Sequence, residues 1–260
     1  MYAYSKRQTL SARPAANATK GKKQVAGRRT SVRTPSAEPA RPLSVDAIHQ
    51  RVWLAIVEHR LPPGTKLGEE RLAKAFGVSR TQIRQVIERL AHDSIVTVHA
   101  NRGAFVSSPT VEEAREVFVA RRLIEPDLIR KASAVASAAD VKRLREHVAL
   151  ESAARKANDK RAIIRLSGEF HQIVADVAGN RFLARTMREL EALTCLVISL
   201  YDAPNVPSCP YHEHSALIDA IEAGDGKRAA ALMVEHLNHV EGTLEFRQAS
   251  DEIDFDAVFS

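Results

Sequence analysis

At 260 residues and 28.6 kDa, with 45% hydrophobic and 27% charged residues, the chain can build two modest globular domains, which excludes wholesale disorder and fibrous repeats. The net charge of +6 is uneven: residues 1–42 hold ten lysines and arginines against Glu38 alone, residues 43–108 hold nine against six acidic residues, and the remainder is net negative. The longest mostly apolar stretch, Leu193 to Tyr201, is shorter than the ~18 residues of a membrane span, the N-terminus lacks a signal-peptide core, and Cys195 and Cys209 cannot make a disulfide framework, so a cytoplasmic protein with no membrane partner is expected.

Residues 1–42 are rich in Ser, Thr, Ala, Pro and basic side chains, with almost no large apolar residue after Leu10. They cannot offset the entropy of folding and are predicted to be a disordered basic arm, either a solvated tail or a source of sequence-independent DNA affinity through released phosphate counterions. Ser44 is placed to cap a first helix with the core face Ile48, Val52 and Ile56, which Leu61-Pro62-Pro63-Gly64 terminates. A second helix runs from about Glu69 to Phe76 and stops at Gly77. The third opens at Ser79, where Ser79 and Gln82 form a capping box, and buries Ile83, Val86, Ile87 and Leu90.

That register leaves Arg80, Thr81, Arg84, Gln85 and Glu88 facing outward near the start of the third helix, where a recognition helix meets the major groove. Arg can bond guanine O6 and N7 with both arms, and Thr can reach a phosphate or a thymine methyl. Strand signals at Ile95 to Val98 and Ala104 to Val106 flank the turn Ala100-Asn101-Arg102-Gly103, in which Gly103 suits a positive φ and Arg102 gives the ribbon a basic tip. Any one arginine here can be a plain surface charge, the reading preferred for Arg51 and Arg89. The ordered set of caps, turn glycine, basic helix start and wing makes residues 43–108 a winged helix-turn-helix domain that binds double-stranded DNA.

Between Asp127 and Ala203 there is no proline, and the only glycines are Gly168 and Gly179, as long helices require. Leu183, Met187, Leu190, Val197 and Tyr201 recur at helical steps on what should be a buried helix. Around it helices are predicted near 110–134, with a Thr110/Glu113 capping box, and near 138–157, 158–178, 211–222 and 226–247. The fold class is mainly α: the winged helix is followed by an all-helical bundle over residues 109–248 and a tail of 249–260. His171, His214 and His236 fall on three different helices of that bundle. Each alone reads as a surface or satisfied core residue; together they suit zinc, nickel or a similar borderline ion if the fold brings them to one point.

The runs Pro63-Gly64-Thr65-Lys66-Leu67, Arg71-Leu72-Ala73, Gly77-Val78-Ser79-Arg80-Thr81, Ile83-Arg84 and Arg102-Gly103-Ala104-Phe105-Val106 resemble the N-terminal domain of GntR-family bacterial transcription regulators. The helical half resembles the ligand-binding domain of the FadR subfamily, carried by Arg121 and Glu125, Phe170-His171, Gly179-Asn180, His214 and His236, and the resemblance covers residues 44 to about 248. It implies a homodimer on a palindromic operator, DNA contacts from Arg71, Arg80, Thr81, Arg84, Arg102 and Gly103, and an effector, an organic acid, that controls DNA affinity. It also implies a divalent metal ion on three histidines and one aspartate. Here Ser167 stands one helical turn before His171 in place of that aspartate, which weakens the site. Arg121 is the implied anchor for an effector carboxylate, with an i+4 pair to Glu125 as its plainer role. Two further departures are Gln82 where a proline is usual, and Glu70 where the family carries an arginine, with Arg71 following it.

The residues thus predict a ligand-responsive repressor and not an enzyme. The competing readings are a metalloenzyme with an activated water on three histidines, which lacks a general base, a nucleophile elbow and a phosphate loop, and an architectural DNA binder that answers to no ligand.

Overall fold

The computed structural model describes residues 43–202 and 211–246; the predicted basic arm and C-terminal tail lie outside the described residues. The first helix, α1 (Val45–Val57), starts at Ser44, whose hydroxyl accepts the Ala47 N–H, and it buries Ile48, Val52 and Ile56. It ends before the Pro62-Pro63 pair, with His59 at a φ of 54°. Strand β1 (Lys66–Leu67) and helix α2 (Glu69–Phe76) follow, and Gly77 closes α2 in the left-handed region at a φ of 65°. Helix α3 (Arg80–His92) carries the complete Ser79/Gln82 capping box.

Strands β2 (Val96–His99) and β3 (Gly103–Val106) form the hairpin, and Gly103 has a φ of 94°. The sheet has three strands in the order β1-β3-β2, all antiparallel, with Lys66 opposite Phe105 and Val96 opposite Val106. Strand β1 has no signal in the sequence because two residues are too few for an alternation to register.

The helical half comprises α4 (Val111–Val135), α5 (Ala138–Lys156), α6 (Lys160–Val177), α7 (Arg181–Tyr201), α8 (Tyr211–Glu222) and α9 (Gly226–Gly242). Thr110 and Glu113 cap α4 reciprocally, and Ser137 and Asp140 do the same for α5. Helix α9 stops five residues short of the predicted 247, where the chain turns at Thr243 and Leu244 pairs with Asp202 in an isolated bridge. No helix among the described residues is long and apolar enough to cross a membrane.

Ile129, Leu144, Phe170, Met187, Leu217, Met233 and Leu237 lie at the centre of the bundle core. The winged-helix core of Ile48, Val52, Ile56, Ile83, Leu90 and Ile95 is separate, but it is completed by two residues of α7, Ala192 and Leu196. Polar links reinforce that junction. His59 Nε2 donates to the Cys195 carbonyl at 2.9 Å, and Arg165 on α6 reaches Glu58 at 3.2 Å. Burial lowers the His59 pKa, which keeps the ring neutral.

Candidate DNA-reading surface and buried histidine centre

Arg71, Arg80, Thr81, Arg84, Arg102 and Gly103 are all exposed. The capping box fixes where α3 begins, so Arg80, Thr81 and Arg84 occupy its first turns. Arg84 is held by Glu69 of α2 through two bonds, Nε to Oε1 at 3.0 Å and one terminal nitrogen to Oε2 at 2.8 Å. Arg80 approaches the same carboxylate at 3.7 Å. A guanidinium has five donors, so this clamp leaves its other edge open to a base. Sequence reasoning missed Glu69, which lies fifteen residues from Arg84 in another helix. It also passed over Lys66 as a contact. Pairing of β1 with β3 sets its ammonium 5.6 Å from the centre of the Phe105 ring, where Arg102 also lies, at 5.9 Å, so two cations flank the wing.

In the bundle, the three histidines meet. His171 comes from the middle of α6, His214 from the first turn of α8 and His236 from α9, and all three are buried. One ligand atom from each lies within 4.8 Å of the others, and His171 Nε2 is 3.2 Å from His236 Nε2. Each ring uses its other nitrogen on a carboxylate. His171 Nδ1 donates to Glu125 at 2.5 Å and His236 Nδ1 to Glu213 at 2.7 Å, and His214 Nδ1 pairs with Glu151 at 2.9 Å. An ionised carboxylate only accepts, so Glu125 and Glu213 favour the Nδ1–H form of His171 and His236, whereas burial raises the Glu151 pKa to about 7 and its pair with His214 fixes no tautomer.

Burial pushes the His171 pKa down to about 3 and His214 well below the usual range, so both rings are neutral and able to ligate. The two Nε2 atoms are close enough for one ring to donate to the other or for both to ligate one ion. Two imidazoles on one zinc at ~2.0–2.1 Å in tetrahedral geometry stand ~3.3–3.4 Å apart, so the residues fit such an ion. Phe170 stacks on His214 with ring centres 4.0 Å apart and excludes water from that side. Ser167 lines the cavity with His171 and His236, and its hydroxyl is the oxygen offered there in place of a carboxylate. The cavity measures about 20 Å³, room for one ion or one water and not for a metabolite.

Beside it, Arg121 is almost fully buried, 2.6 Å from Glu125 and 2.9 Å from Glu191 of α7. Burial opposes the Arg121 charge, but the two carboxylates outweigh it and hold the guanidinium protonated. Burial likewise opposes ionisation of Glu125, and Arg121 overrides it to hold that pKa at about 2. For Glu191 burial prevails and the pKa rises to about 8, helped by the negative Glu125. One proton on Glu191 leaves the buried trio neutral, the cheaper state in a low dielectric. Of the two readings of Arg121 from sequence, the structure shows the Glu125 pair, and the guanidinium also lines the histidine cavity. Among the carboxylates, only Glu125 had a signal in the sequence, its i+4 spacing from Arg121; Glu151, Glu191 and Glu213 had none.

Residues 45–106 match the family model for bacterial regulatory proteins of the gntR family, and residues 116–239 match the FCD domain. The HTH-type transcriptional repressor RspR of Escherichia coli K12 is 23% identical over 216 residues, 82% of this chain and 94% of that protein. The HTH-type transcriptional regulator LutR of Bacillus subtilis 168 is 26% identical over 206 residues, 71% of this chain and 93% of that one. The structure of E. coli McbR/YncC shares the fold at a TM-score of 0.69 and 17% identity, covering 76% of this chain and 95% of that chain.

Proposed function

The chain belongs to the GntR family of bacterial transcription regulators and carries an FCD effector-binding domain, and from that premise we propose a homodimeric repressor whose hold on a palindromic operator is set by a metal-assisted organic acid. The sign of regulation is extended from RspR, which is named a repressor. The division into a DNA-binding domain over 43–108 and an effector and dimerisation domain over 109–248 is part of the proposal. Arg80, Thr81 and Arg84 read bases from α3, while Arg71, Arg102 and the Gly103 backbone contact phosphate or the minor groove.

The observation that carries the effector half is the convergence of one ligand atom from each of three buried histidines, each ring paired with a glutamate. His171, His214 and His236 hold a zinc- or nickel-like ion, which when bound supplies a compact positive charge for an anionic oxygen. Ser167 contributes at most a hydroxyl, so the acid's own carboxylate completes the site, and Arg121 is the neighbouring cation that its negative charge meets. The cavity is too small for an acid as it stands, so binding displaces α7, which carries Glu191 and Thr194 on one face and Ala192 and Leu196 into the winged-helix core. That one helix ties occupancy to the packing of the DNA-reading half.

The test is calorimetric titration of zinc and nickel into chelator-stripped protein. Wild type should bind a divalent ion, Ser167→Asp more tightly, since a carboxylate is the better oxygen ligand, and His171→Ala weakly or not at all while still binding operator. If neither wild type nor Ser167→Asp binds any divalent ion, the histidines are polar lining and the metal reading fails.

A further inference from the structure

The histidine cavity, about 20 Å³, is walled off from a larger one of about 390 Å³ that opens where α1 of the winged helix faces α6 and α7 of the bundle. Gly168, Glu191 and Cys195 line both spaces, so the partition between them is one layer of side chains thick. Gly168 lies inside α6, where a glycine weakens a helix. A Cβ there would come within 3.1 Å of Glu191 Oε2 and 3.7 Å of Cys195 Sγ. The glycine therefore leaves room for the Glu191 carboxyl to lie against α6, between the two spaces.

Arg121 holds its two carboxylates unequally. Glu125 Oε1 accepts from Nε at 2.6 Å, and the other oxygen of Glu125 accepts from His171. Glu191 Oε1 approaches a terminal nitrogen of Arg121 at 2.9 Å but out of line: both atoms are buried, and neither makes a hydrogen bond. Buried polar groups left in this state are costly, so Arg121 gains from any exchange that gives it a better-aligned acceptor. Glu191 also has a second seat within reach. Arg188 stands one turn earlier on α7 and lines the larger cavity with it. It is exposed, and among the described residues no carboxylate lies within ion-pair distance of it.

We propose that Glu191 is a built-in stand-in for the effector's carboxylate: it occupies the place beside Arg121 that an arriving carboxylate takes, and once displaced it turns out through the partition toward Arg188. Resting on the meeting of an effector carboxylate with Arg121 proposed above, this exchange also supplies room that the closed cavity lacks, and the displacement of α7 begins with it. It favours a carboxylate over a neutral molecule, because only a charged acceptor binds the guanidinium better than the carboxyl already in place. In its outer position Glu191 enters the cavity walled by Trp53, Leu54 and Val57 of α1, so exchange at Arg121 is felt by the DNA-reading half.

The experiment is titration of acetate into the full-length protein, read by calorimetry and by the emission of Trp53, the single tryptophan of the chain, for wild type, Glu191→Ala and Glu191→Gln. Acetate is the probe because Glu191→Ala deletes a methylene and a carboxyl, the skeleton of acetate itself. Glu191→Ala should bind it about tenfold more tightly than wild type, as for a wild-type place that is vacant about one part in ten. Glu191→Gln, whose amide still fills the place, should bind no more tightly than wild type. If both variants tighten equally, Glu191 opposes the anion by charge alone and is no stand-in. Should Glu191→Ala not fold, Arg188→Glu decides: a negative charge at the outer seat should weaken acetate several-fold in wild type and leave Glu191→Gln nearly unchanged, and equal weakening in both backgrounds overturns the assignment. So does acetate that binds none of these proteins. The same order of affinities is expected in chelator-stripped and in zinc-loaded protein, so a chain that holds no metal would refute the metal reading and leave the exchange at Arg121 intact.

Discussion

In the proposed reading of the operator, Glu69 determines what Arg84 can present to a base pair. By holding Nε and one terminal nitrogen, it fixes the guanidinium plane before DNA arrives and lowers the rotamer entropy lost on contact. Arg84→Ala should therefore lose mainly discrimination, ~1–3 kcal/mol between operator and random duplex, with a smaller loss of total affinity. Paired titrations on the two duplexes measure this; equal weakening on both would make Arg84 a phosphate contact. Glu191 gives a second test at the same scale. Its pKa is raised from 4.5 to about 8, so the folded chain keeps a proton that the unfolded chain releases. The stability this supplies is complete below pH ~4.5 and is lost as pH rises through about 8, by up to ~1.4 kcal/mol per unit. Glu191→Gln fixes the neutral form, so its melting temperature should fall less than that of wild type between about pH 5 and pH 8, and parallel curves would mean Glu191 is ionised beside Arg121. The histidines were legible in the sequence as a set, one per helix. Their glutamate anchors were not, because the pairs lie 46, 63 and 23 residues apart and only tertiary packing joins them.

Helix boundaries were legible wherever a cap set them locally. Ser44, Ser79, Thr110 and the Gly77 stop each act within four residues, so the side chain that starts or ends the helix is visible beside it. The end of α9 at Gly242 was not, since the stretch beyond it is turned aside by the Asp202–Leu244 bridge, a contact from another part of the chain. The same locality makes caps testable. Ser79→Ala removes the acceptor for the Gln82 N–H and the hydroxyl's own bond to Gln82 Oε1, leaving only the backbone N–H of residue 79 on that oxygen, and should cost ~1 kcal/mol of stability. Chemical denaturation should show a lower midpoint with an unchanged slope; an unaltered midpoint would mean α3 is held by Ile83, Val86 and Leu90 alone.

At the level of the whole molecule, the order of a DNA-binding winged helix followed by a helical bundle followed from the fall in basic charge along the chain and the switch from short capped elements to long helices without proline. What the sequence could not convey is that α7 serves both halves, because Ala192 and Leu196 read as two more apolar positions in an already apolar helix. This bears on attempts to recombine regulators. A hybrid that takes residues 43–108 from this chain and an effector domain from elsewhere severs the winged helix from the two side chains that close its core. The donor helix would need small and branched apolar residues at the places of Ala192 and Leu196; a charge at either would leave Ile48, Val52 and Ile56 partly uncovered and the hybrid prone to aggregate. The practical seam for swapping parts therefore runs through one face of α7 and not through the linker after residue 108.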